Sequence, residues 1–313
     1  MFNLNYTKYK SITLSVSFLT ILLGFVITYT KFGGFAHSLD FDGGLRAVVE
    51  LPLGKSRADL ETFFKKSDIE AVVILLEKEK NIFQMDIGLG SIGKIEELYL
   101  KIPAAEREPG TSSIDKFVIT LRKEFQLPKE KILSADQVGA VVGGELMSTG
   151  ITLLLTTLGI ILLYLSYRSQ FKFALASAIA LVHDILFTLA MIGFFQIKPS
   201  VPIIAALLTL LGYSINDKIV VFDRIRENSH GKDNLSLSNI INVSIAQTLG
   251  RTINTSLTTL ISVVAILVGG AVELYDFAIV LIFGVVIGTY SSIFIAAPIS
   301  EIYDQFRRKR KLA

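Results

Sequence analysis

The stretch LMSTGITLLLTTLGIILLYLSY, residues 146–167, decides the fold class of this 313-residue chain. It contains 22 residues and no charge, and a transmembrane helix needs about 20 predominantly apolar residues. The first of the other apolar runs is longer than the core of a cleavable signal peptide, about 7–15 residues, so we expect it to be retained. The sequence thus predicts six membrane-spanning helices, and the five further runs lie at residues 11–30, 173–197, 199–222, 252–270 and 277–300.

The charged residues are concentrated in one block between the first and second predicted helices. Residues 31–143 carry 16 basic and 18 acidic residues, whereas the other 200 residues carry 15 basic and 10 acidic ones. The predicted fold is therefore a polytopic α-helical membrane protein with one external α+β domain inserted after the first helix. We place the boundaries at residues 1–31 for the N-terminus and first helix, 32–143 for the external domain, 144–302 for a five-helix unit and 303–313 for a basic tail.

The external block shows the periodicities of a small α+β domain. Two helical patterns occur, at residues 57–66 and 113–125. The order strand, helix, strand, strand, helix, strand predicts a domain of the ferredoxin type. No cluster of side chains in it is typical of a catalytic site. Alternating apolar residues predict the strands at residues 45–51, 69–76, 82–89 and 131–135.

The composition argues against several classes of function. The chain has no cysteine, which rules out disulfides, thiol catalysis and cysteine-ligated metals. It has three histidines, too few to favour a multi-histidine metal site. The net charge is +3, from 31 basic and 28 acidic residues. That balance argues against a nucleic-acid partner, because nucleic-acid-binding domains carry a clear excess of Lys and Arg.

The orientation follows from the lysines and arginines of short loops, which are enriched on the cytoplasmic side of a membrane. With the N-terminus inside, Lys198 is the one basic residue in a short outer loop, and 14 basic residues fall on the inner side. We therefore expect both termini in the cytoplasm and residues 32–143 outside the cytoplasmic membrane. The inner residues are Lys8, Lys10, Arg168, Lys172, Lys218, Arg224, Arg226, Lys232, Arg251 and the five of residues 307–311.

Ionisable residues lie within or beside the predicted spans, where charges are costly and usually functional. His183 and Asp184 fall near the middle of the third span, and Asp217 falls in the inner part of the fourth. Arg251 directly precedes the fifth. Asp184 also fits a polar contact between helices, and Arg251 fits a side chain that reaches the interface. Asp217 is harder to explain without a role.

Other polar residues accompany these charges. Asn216 directly precedes Asp217. Residues 252–262, which include Thr255, contain seven hydroxyl or amide side chains in eleven positions. Hydroxyls can bond back to their own helix, but this density predicts a polar helix face that lines a hydrated path.

Six motifs, in order along the chain, resemble one family. Together they are similar to the SecF protein-export membrane subunits of the SecD/SecF family, within the resistance-nodulation-division superfamily. The six predicted spans and the place of the external domain also agree with that family. The motifs are LDFDGG at 39–44, VGAVVGGEL at 138–146, ALASAIALVHDI at 174–185, GYSINDKIVVFDRIREN at 212–228, RTINTSLTTLISVVAIL at 251–267 and FGVVIGTYSSIFIAAPI at 283–299.

The resemblance implies a function in protein export. Members of this family work with SecD and the SecYEG channel, with YajC and SecA as further partners. They use the proton motive force, or sodium in some lineages, to promote export of unfolded proteins across the cytoplasmic membrane. The resemblance thus implies a transport subunit and not an enzyme, with no cofactor beyond the coupling ion.

The resemblance also implies roles for individual residues. Asp217 would carry the proton, and Arg251 would be its charge partner in the SecD interface. The supporting polar groups would be His183, Asp184, Asn216 and Thr255. We expect Asp184→Asn to be milder than Asp217→Asn, since another hydrogen-bonding group can replace Asp184.

Two positions depart from the family pattern. Ala140 stands where the family usually has proline, and Lys218 stands where it usually has a small polar residue. Lys218 directly follows Asp217, but neighbours in sequence do not face each other on a helix. We therefore expect Lys218 to have a small effect on Asp217.

Three alternative functions remain open from the sequence. A small-molecule exporter of the same superfamily is the nearest, although it would normally contain two copies of the six-span unit in one chain. An intramembrane aspartyl protease would use Asp184 and Asp217 as a pair that shares a proton, but the Gly-x-Gly-Asp signature of that class is absent around Asp217. A purely structural scaffold would need neither Asp217 nor Arg251.

Overall fold

A computed structural model of the chain describes residues 6–36, 38–78, 80–104, 107, 110–168, 170–230, 236–269 and 274–312. The side chains of residues 140, 141 and 307–312 lie outside that description. These residues include Ala140, where the family usually has proline, and most of the basic tail. The chain divides into two compact units, Met1–Ala36 with Gly150–Ala313 and His37–Thr149. We call them the helical unit and the sheet unit. The boundaries drawn from the sequence stay predictions.

The first apolar run forms one long helix of the helical unit. A short 3-10 turn, Tyr6–Tyr9, leads into helix α1, Lys10–Phe32. The helix ends at Gly33, whose φ of 77° lies in the left-handed region that glycine adopts without strain. The single apolar run of residues 11–30 therefore corresponds to one helix.

The sheet unit has the predicted order of strands and helices, with two additional helices. Its four strands form one antiparallel sheet in the order β2-β3-β1-β4, which is the arrangement of the ferredoxin type. The predicted α+β class is confirmed. The elements are α2 Leu39–Asp42, β1 Gly44–Glu50, α3 Arg57–Lys66, β2 Ala71–Glu77, β3 Ile82–Gly88, α4 Ile92–Leu100, α5 Ser113–Phe125 and β4 Ile132–Val138.

Helices α3 and α5 have the bounds that their sequence patterns predict, because each begins at a clear cap. Ser56 and Asp59 form a capping box at α3, and Ser112 and Asp115 form another at α5. Such reciprocal bonds satisfy backbone N–H groups that the first helical turn leaves free. Both helices place apolar side chains against one face of the sheet, and the buried cluster includes Leu45, Ala47, Val49, Leu60, Phe64, Met85, Ile87, Phe117 and Leu121.

Helix α4 was not predicted, and β4 extends further than predicted. The nine residues of α4 form a short helix that contains Gly93, a poor helix former, and only Ile95 and Tyr99 are fully buried. Strand β4 continues to Val138, which pairs with Gly44 of β1. This last part of β4 carries Asp136 and Gln137, which interrupt the apolar pattern on which the prediction relied.

Five further long helices follow the sheet unit's strands, and the first of them begins in the sheet unit at Ala140 and continues into the helical unit from Gly150. Together with α1, six helices among the described residues are long and apolar enough to cross a membrane, which confirms the predicted number. The protein is therefore a polytopic α-helical membrane protein. The helices are α6 Ala140–Arg168, α7 Phe171–Phe194, α8 Val201–Ser229, α9 Leu237–Val268 and α10 Tyr275–Ser291, the last of which continues through a π-helical turn, Ser292–Ala296, into α11 Ala297–Leu312.

Helix α9 begins 14 residues before Arg251, at Leu237. The hydroxyl of Ser236 caps it by accepting the backbone N–H of Asn239 at 3.3 Å. The predicted span covered the second half of this helix, because the charge of Arg251 ended the apolar run. Arg251 therefore lies inside α9, not at its beginning.

The π-helical turn of the last span has a local cause. Pro298 has no backbone N–H to donate to the carbonyl of Phe294, and proline inside a helix disturbs the preceding turn. That carbonyl instead accepts the hydroxyl of Thr13 in α1 at 3.3 Å. The hydroxyl of Tyr290 also donates to the carbonyl of Thr13, at 3.2 Å. The turn thus brings α1 and the last span together through polar contacts.

Helices α8 and α10 pack closely because α10 presents two glycines. A Cβ atom at Gly284 would lie 2.7 Å from Leu210 Cδ1, and one at Gly288 would lie 3.1 Å from Ser214 Oγ. The spacing of Gly284 and Gly288 is that of the small residues at which membrane helices approach each other. The contact at Gly288 places Ser214 directly against α10.

Candidate functional site

The Asp184 carboxylate is fully buried between three helices and hydrogen-bonded on both oxygens. It lies on α7, and its exposed fraction is 0%. Its Oδ2 is 2.7 Å from Lys218 Nζ of α8 and accepts the hydroxyl of Ser291 of α10 at 2.8 Å. Oδ2 also accepts the hydroxyl of Ser214, one turn before Lys218 on α8. Its Oδ1 lies 3.0 Å from His183 Nδ1.

Lys218 is the partner that the sequence-based analysis did not assign to Asp184. Its exposed fraction is 0%, although a lysine is rarely buried unless it is paired. Its amine also donates to the hydroxyl of Ser214 and, at 2.9 Å, to that of Ser291. Lys218 was counted among the basic residues of the inner side, and its burial in α8 removes it from that count. The signal that could have identified this site is the i, i+4 spacing of Ser214 and Lys218.

Asp217 is also buried, but one of its oxygens has no hydrogen-bond donor. Its exposed fraction is 3%, and Oδ2 has no hydrogen-bond partner among the residues that the structure describes. Tyr213, one turn earlier, lies on the same face of α8 and donates to Ser256 of α9 at 3.0 Å. The face of α8 that carries Asp217 therefore turns towards α9.

Lys218 and Arg251 do not contact Asp217 directly. Neither forms a salt bridge with Asp217 within 4.0 Å, and both side chains belong to the described part of the chain. For Lys218 this agrees with the expectation that neighbours on a helix do not meet. For Arg251 it means that the predicted charge pair is not a direct contact in this chain. Arg251 is exposed at the surface of the helical unit.

The hydroxyl groups of α9 mostly bond back to their own helix. Thr255 donates to the carbonyl of Arg251 at 2.9 Å, and Thr259 donates to that of Thr255 at 3.0 Å. An exposed polar stripe remains on the outer face of the helix at a spacing of three and four residues. Asn216 of α8 is exposed as well. The stripe consists of Arg251, Asn254, Thr258 and Ser262. The hydrated path stays a prediction.

The arrangement separates two kinds of carboxylate chemistry. Asp184 is held by a buried cation and three further donors, so its charge is neutralised within the chain. Asp217 offers an unbonded, buried oxygen, where a proton would satisfy an otherwise uncompensated charge. The two carboxylates share no hydrogen bond among the described contacts. The proton-sharing pair of an aspartyl protease is therefore not formed in the described part of the chain.

Comparison with known proteins agrees with the fold and with these motifs. Residues 118–305 match the family described as protein export membrane protein SecD/SecF, C-terminal. The protein translocase subunit SecF of Borreliella burgdorferi is 34% identical over 299 residues, which cover 95% of this chain and 96% of that protein. The protein translocase subunit SecF of Pseudomonas aeruginosa is 33% identical over 293 residues, which cover 94% of this chain and 89% of that protein.

A longer relative contains this unit as one part of its chain. The protein translocase subunit SecDF of Thermus thermophilus is 34% identical over 293 residues, which cover 93% of this chain and 37% of that protein. A crystal structure of SecDF from that organism, described as a translocon-associated membrane protein, matches with a TM-score of 0.77 at 31% identity. The match covers 96% of this chain and 39% of the solved chain. The family match, the near full-length relatives and the shared fold together show that this chain belongs to the SecF family of protein-export membrane proteins.

Proposed function

We propose that the chain is an accessory subunit of a Sec protein translocase, which works with SecD to promote export of unfolded proteins across the cytoplasmic membrane. The SecYEG channel, YajC and SecA would be the other components of that machinery. The observation that carries the proposal is the buried Asp217 carboxylate with one oxygen free of hydrogen bonds. An intramembrane carboxylate of this kind needs a proton or a partner charge.

In this proposal Asp217 binds a proton from one side of the membrane and releases it to the other. A buried carboxylate is poorly solvated when charged, whereas a positive charge that moves close to it would favour the charged form. The balance between these effects allows small movements of the helices to load or release the proton. One charge that crosses the potential supplies about 2.3 kcal/mol per 100 mV, which would drive the movement.

The surface around Asp217 supports a second membrane subunit as partner. Helix α9 presents its polar stripe outwards, and such a stripe would be unfavourable against lipid chains. Asn216 of α8 is exposed near the same site. A partner helix with polar groups would satisfy both surfaces. In the SecDF relative the corresponding unit is joined to a longer chain, which is the arrangement that a separate SecD would reproduce.

The proposed orientation puts both termini in the cytoplasm and the sheet unit outside. It follows from the excess of basic residues on one side, which remains large without Lys218. A single cysteine introduced at Lys80 should react with a membrane-impermeant maleimide in intact cells, and one at Ser229 should react only after the membrane is opened. The chain has no cysteine of its own to interfere. Labelling of Ser229→Cys in intact cells would show that the orientation, and with it the direction of proton transfer, is opposite to the one proposed.

The test of function is export of a slowly translocated protein into inverted membrane vesicles, with and without an ionophore. Asp217→Asn keeps the size of the side chain and removes the titration, so we expect normal insertion and loss of the ionophore-sensitive part of export. Asp304→Asn is the matched control. That half-buried carboxylate lies on α11, and its Oδ1 is 3.7 Å from Lys172 Nζ, with which it forms a salt bridge. Full ionophore sensitivity in Asp217→Asn vesicles would favour the scaffold function, and drug sensitivity without an export defect would favour the small-molecule exporter.

A further inference from the structure

The amine of Lys218 lies in a cage of oxygen atoms that three helices supply. Nζ is 2.7 Å from Asp184 Oδ2 of α7, 2.9 Å from Ser291 Oγ of α10 and 3.4 Å from the carbonyl oxygen of Ser214 of α8. It also donates to the hydroxyl of Ser214. We call these four oxygens the Lys218 cage. Both side chains of the ion pair are buried, with exposed fractions of 0% and 1%.

The cage has the ligands of a cation site. A carboxylate, hydroxyls and a backbone carbonyl are hard oxygen donors, which suit hard metal cations. Three oxygens at short range match the three N–H donors of the ammonium group. Without a cation, Asp184 would be a charged carboxylate away from water, which is strongly unfavourable. The ammonium group of Lys218 supplies the positive charge that compensates this carboxylate.

The cation is attached to the cage by its own helix. Ser214 and Lys218 are one turn apart on α8, so the lysine stem reaches the oxygens without leaving that helix. Gly288 brings α10 against Ser214, since a Cβ there would lie 3.1 Å from Ser214 Oγ. Ser291 follows one turn later and directly precedes the π-helical turn at Ser292–Ala296. The amine thus lies in a closed space between packed helices.

We propose that the Lys218 cage is a monovalent-cation site that the chain fills with its own ammonium group. Because the cation is covalently attached, sodium or potassium from solution does not exchange into the site. One consequence rests on the proposed function. Sodium does not drive export through the Lys218 cage, and the proton at Asp217 is the ion that the helical unit exchanges.

Removing the amine should open the cage to a cation from solution. Lys218→Ser creates the space and adds a hydroxyl, whereas Lys218→Met fills the same space with an uncharged chain and serves as the matched control. The full chain in lipid nanodiscs is heated in sodium chloride, potassium chloride or choline chloride at equal ionic strength. In a series in which sodium or potassium replaces choline at constant ionic strength, we expect the unfolding temperature of Lys218→Ser to rise by about 3 °C or more for each tenfold increase in the sodium or potassium concentration. The wild-type protein and Lys218→Met should respond equally to the three salts.

Every other pattern contradicts the proposal. If Lys218→Ser responds to sodium and potassium no more than to choline, the cage does not bind a free cation, and this includes failure to fold in all three salts. If Lys218→Met responds as strongly as Lys218→Ser, the cations act at another place. The measurement involves no export, so its failure leaves the role of Asp217 untouched. Conversely, if Asp217 proves not to carry the proton, a cation response of Lys218→Ser would still show that the cage binds a cation.

Discussion

Asp184 and Asp217 lie on neighbouring helices of the helical unit, and both are buried, but their surroundings are opposite. Asp184 contacts an ammonium group, two hydroxyls and an imidazole, whereas Asp217 keeps one oxygen without a donor among the described residues. Burial alone therefore does not identify the functional carboxylate of a membrane protein. The hydrogen-bond partners of the two carboxylates distinguish them, because a fully paired carboxylate maintains structure and an unpaired one is available for a proton.

The largest effect is expected from Asp184→Asn. The substitution leaves the Lys218 ammonium buried without a counter-charge, and breaking a buried pair in this way costs about 3–5 kcal/mol. The expectation from the sequence, that Asp184→Asn is milder than Asp217→Asn, concerned export and assumed no charged partner; for stability, the contact with Lys218 predicts the opposite order. The measurement is the free energy of unfolding in lipid nanodiscs, compared with that of Asp217→Asn, which should stay much closer to the wild type.

The double variant Asp184→Asn with Lys218→Met is the control for that prediction. It removes both charges, and replacing a buried ion pair by neutral groups is often nearly neutral for stability. We expect the double variant to regain most of the stability that Asp184→Asn loses. A double variant as unstable as the single one would show that the charge pair is not the cause.

A smaller effect on stability is expected from Arg251→Ala. Arg251 is exposed and forms no salt bridge with a described residue, so its removal should change the free energy of unfolding by less than about 0.5 kcal/mol. In the proposed mechanism Arg251 is the charge partner of Asp217, so the ionophore-sensitive part of export should fall. Unfolding and vesicle export are measured on the same variant. A loss of stability like that of Asp184→Asn would place Arg251 in a buried contact of the chain.

The smallest effect is expected at an exposed carboxylate of the sheet unit. The backbone N–H of Ser56 donates to Asp59 at 2.8 Å and its hydroxyl at 3.0 Å, and these bonds hold the pKa of Asp59 below its ordinary value of 3.8. A lowered pKa stabilises the fold above the ordinary value, and this contribution is lost as the pH falls through the folded-state pKa. Asp59→Asn should therefore lower the unfolding temperature slightly at neutral pH, and the difference should vanish in acid. A difference that grows in acid would contradict the capping box.

The comparison also separates what the sequence could predict from what it could not. Charge-free runs predicted all six long helices, and helical patterns predicted α3 and α5. Helix α4 was not predicted; it is only nine residues long and contains a glycine, which is a poor helix former. These features are local, so they can be identified before the fold is known.

Contacts between distant residues were beyond the sequence. Asp184 and Lys218 are 34 positions apart, and Ser291 is 107 positions from Asp184. Their meeting depends on how α7, α8 and α10 pack. The sequence singled out both carboxylates and His183 as candidates, but it could not show which partner each would contact. The role of Asp217 as proton carrier stays a proposal.

The central claim is that Asp217 takes up and releases a proton, whereas Asp184 stays paired. Isotope-edited infrared difference spectroscopy of the full chain in lipid, with ¹³C-labelled aspartate, detects buried carboxyl groups that change protonation between acidic and alkaline pH. We predict one such signal that is absent from Asp217→Asn and retained in the double variant Asp184→Asn with Lys218→Met. A signal that persists in Asp217→Asn, or disappears with Asp184, would contradict the account.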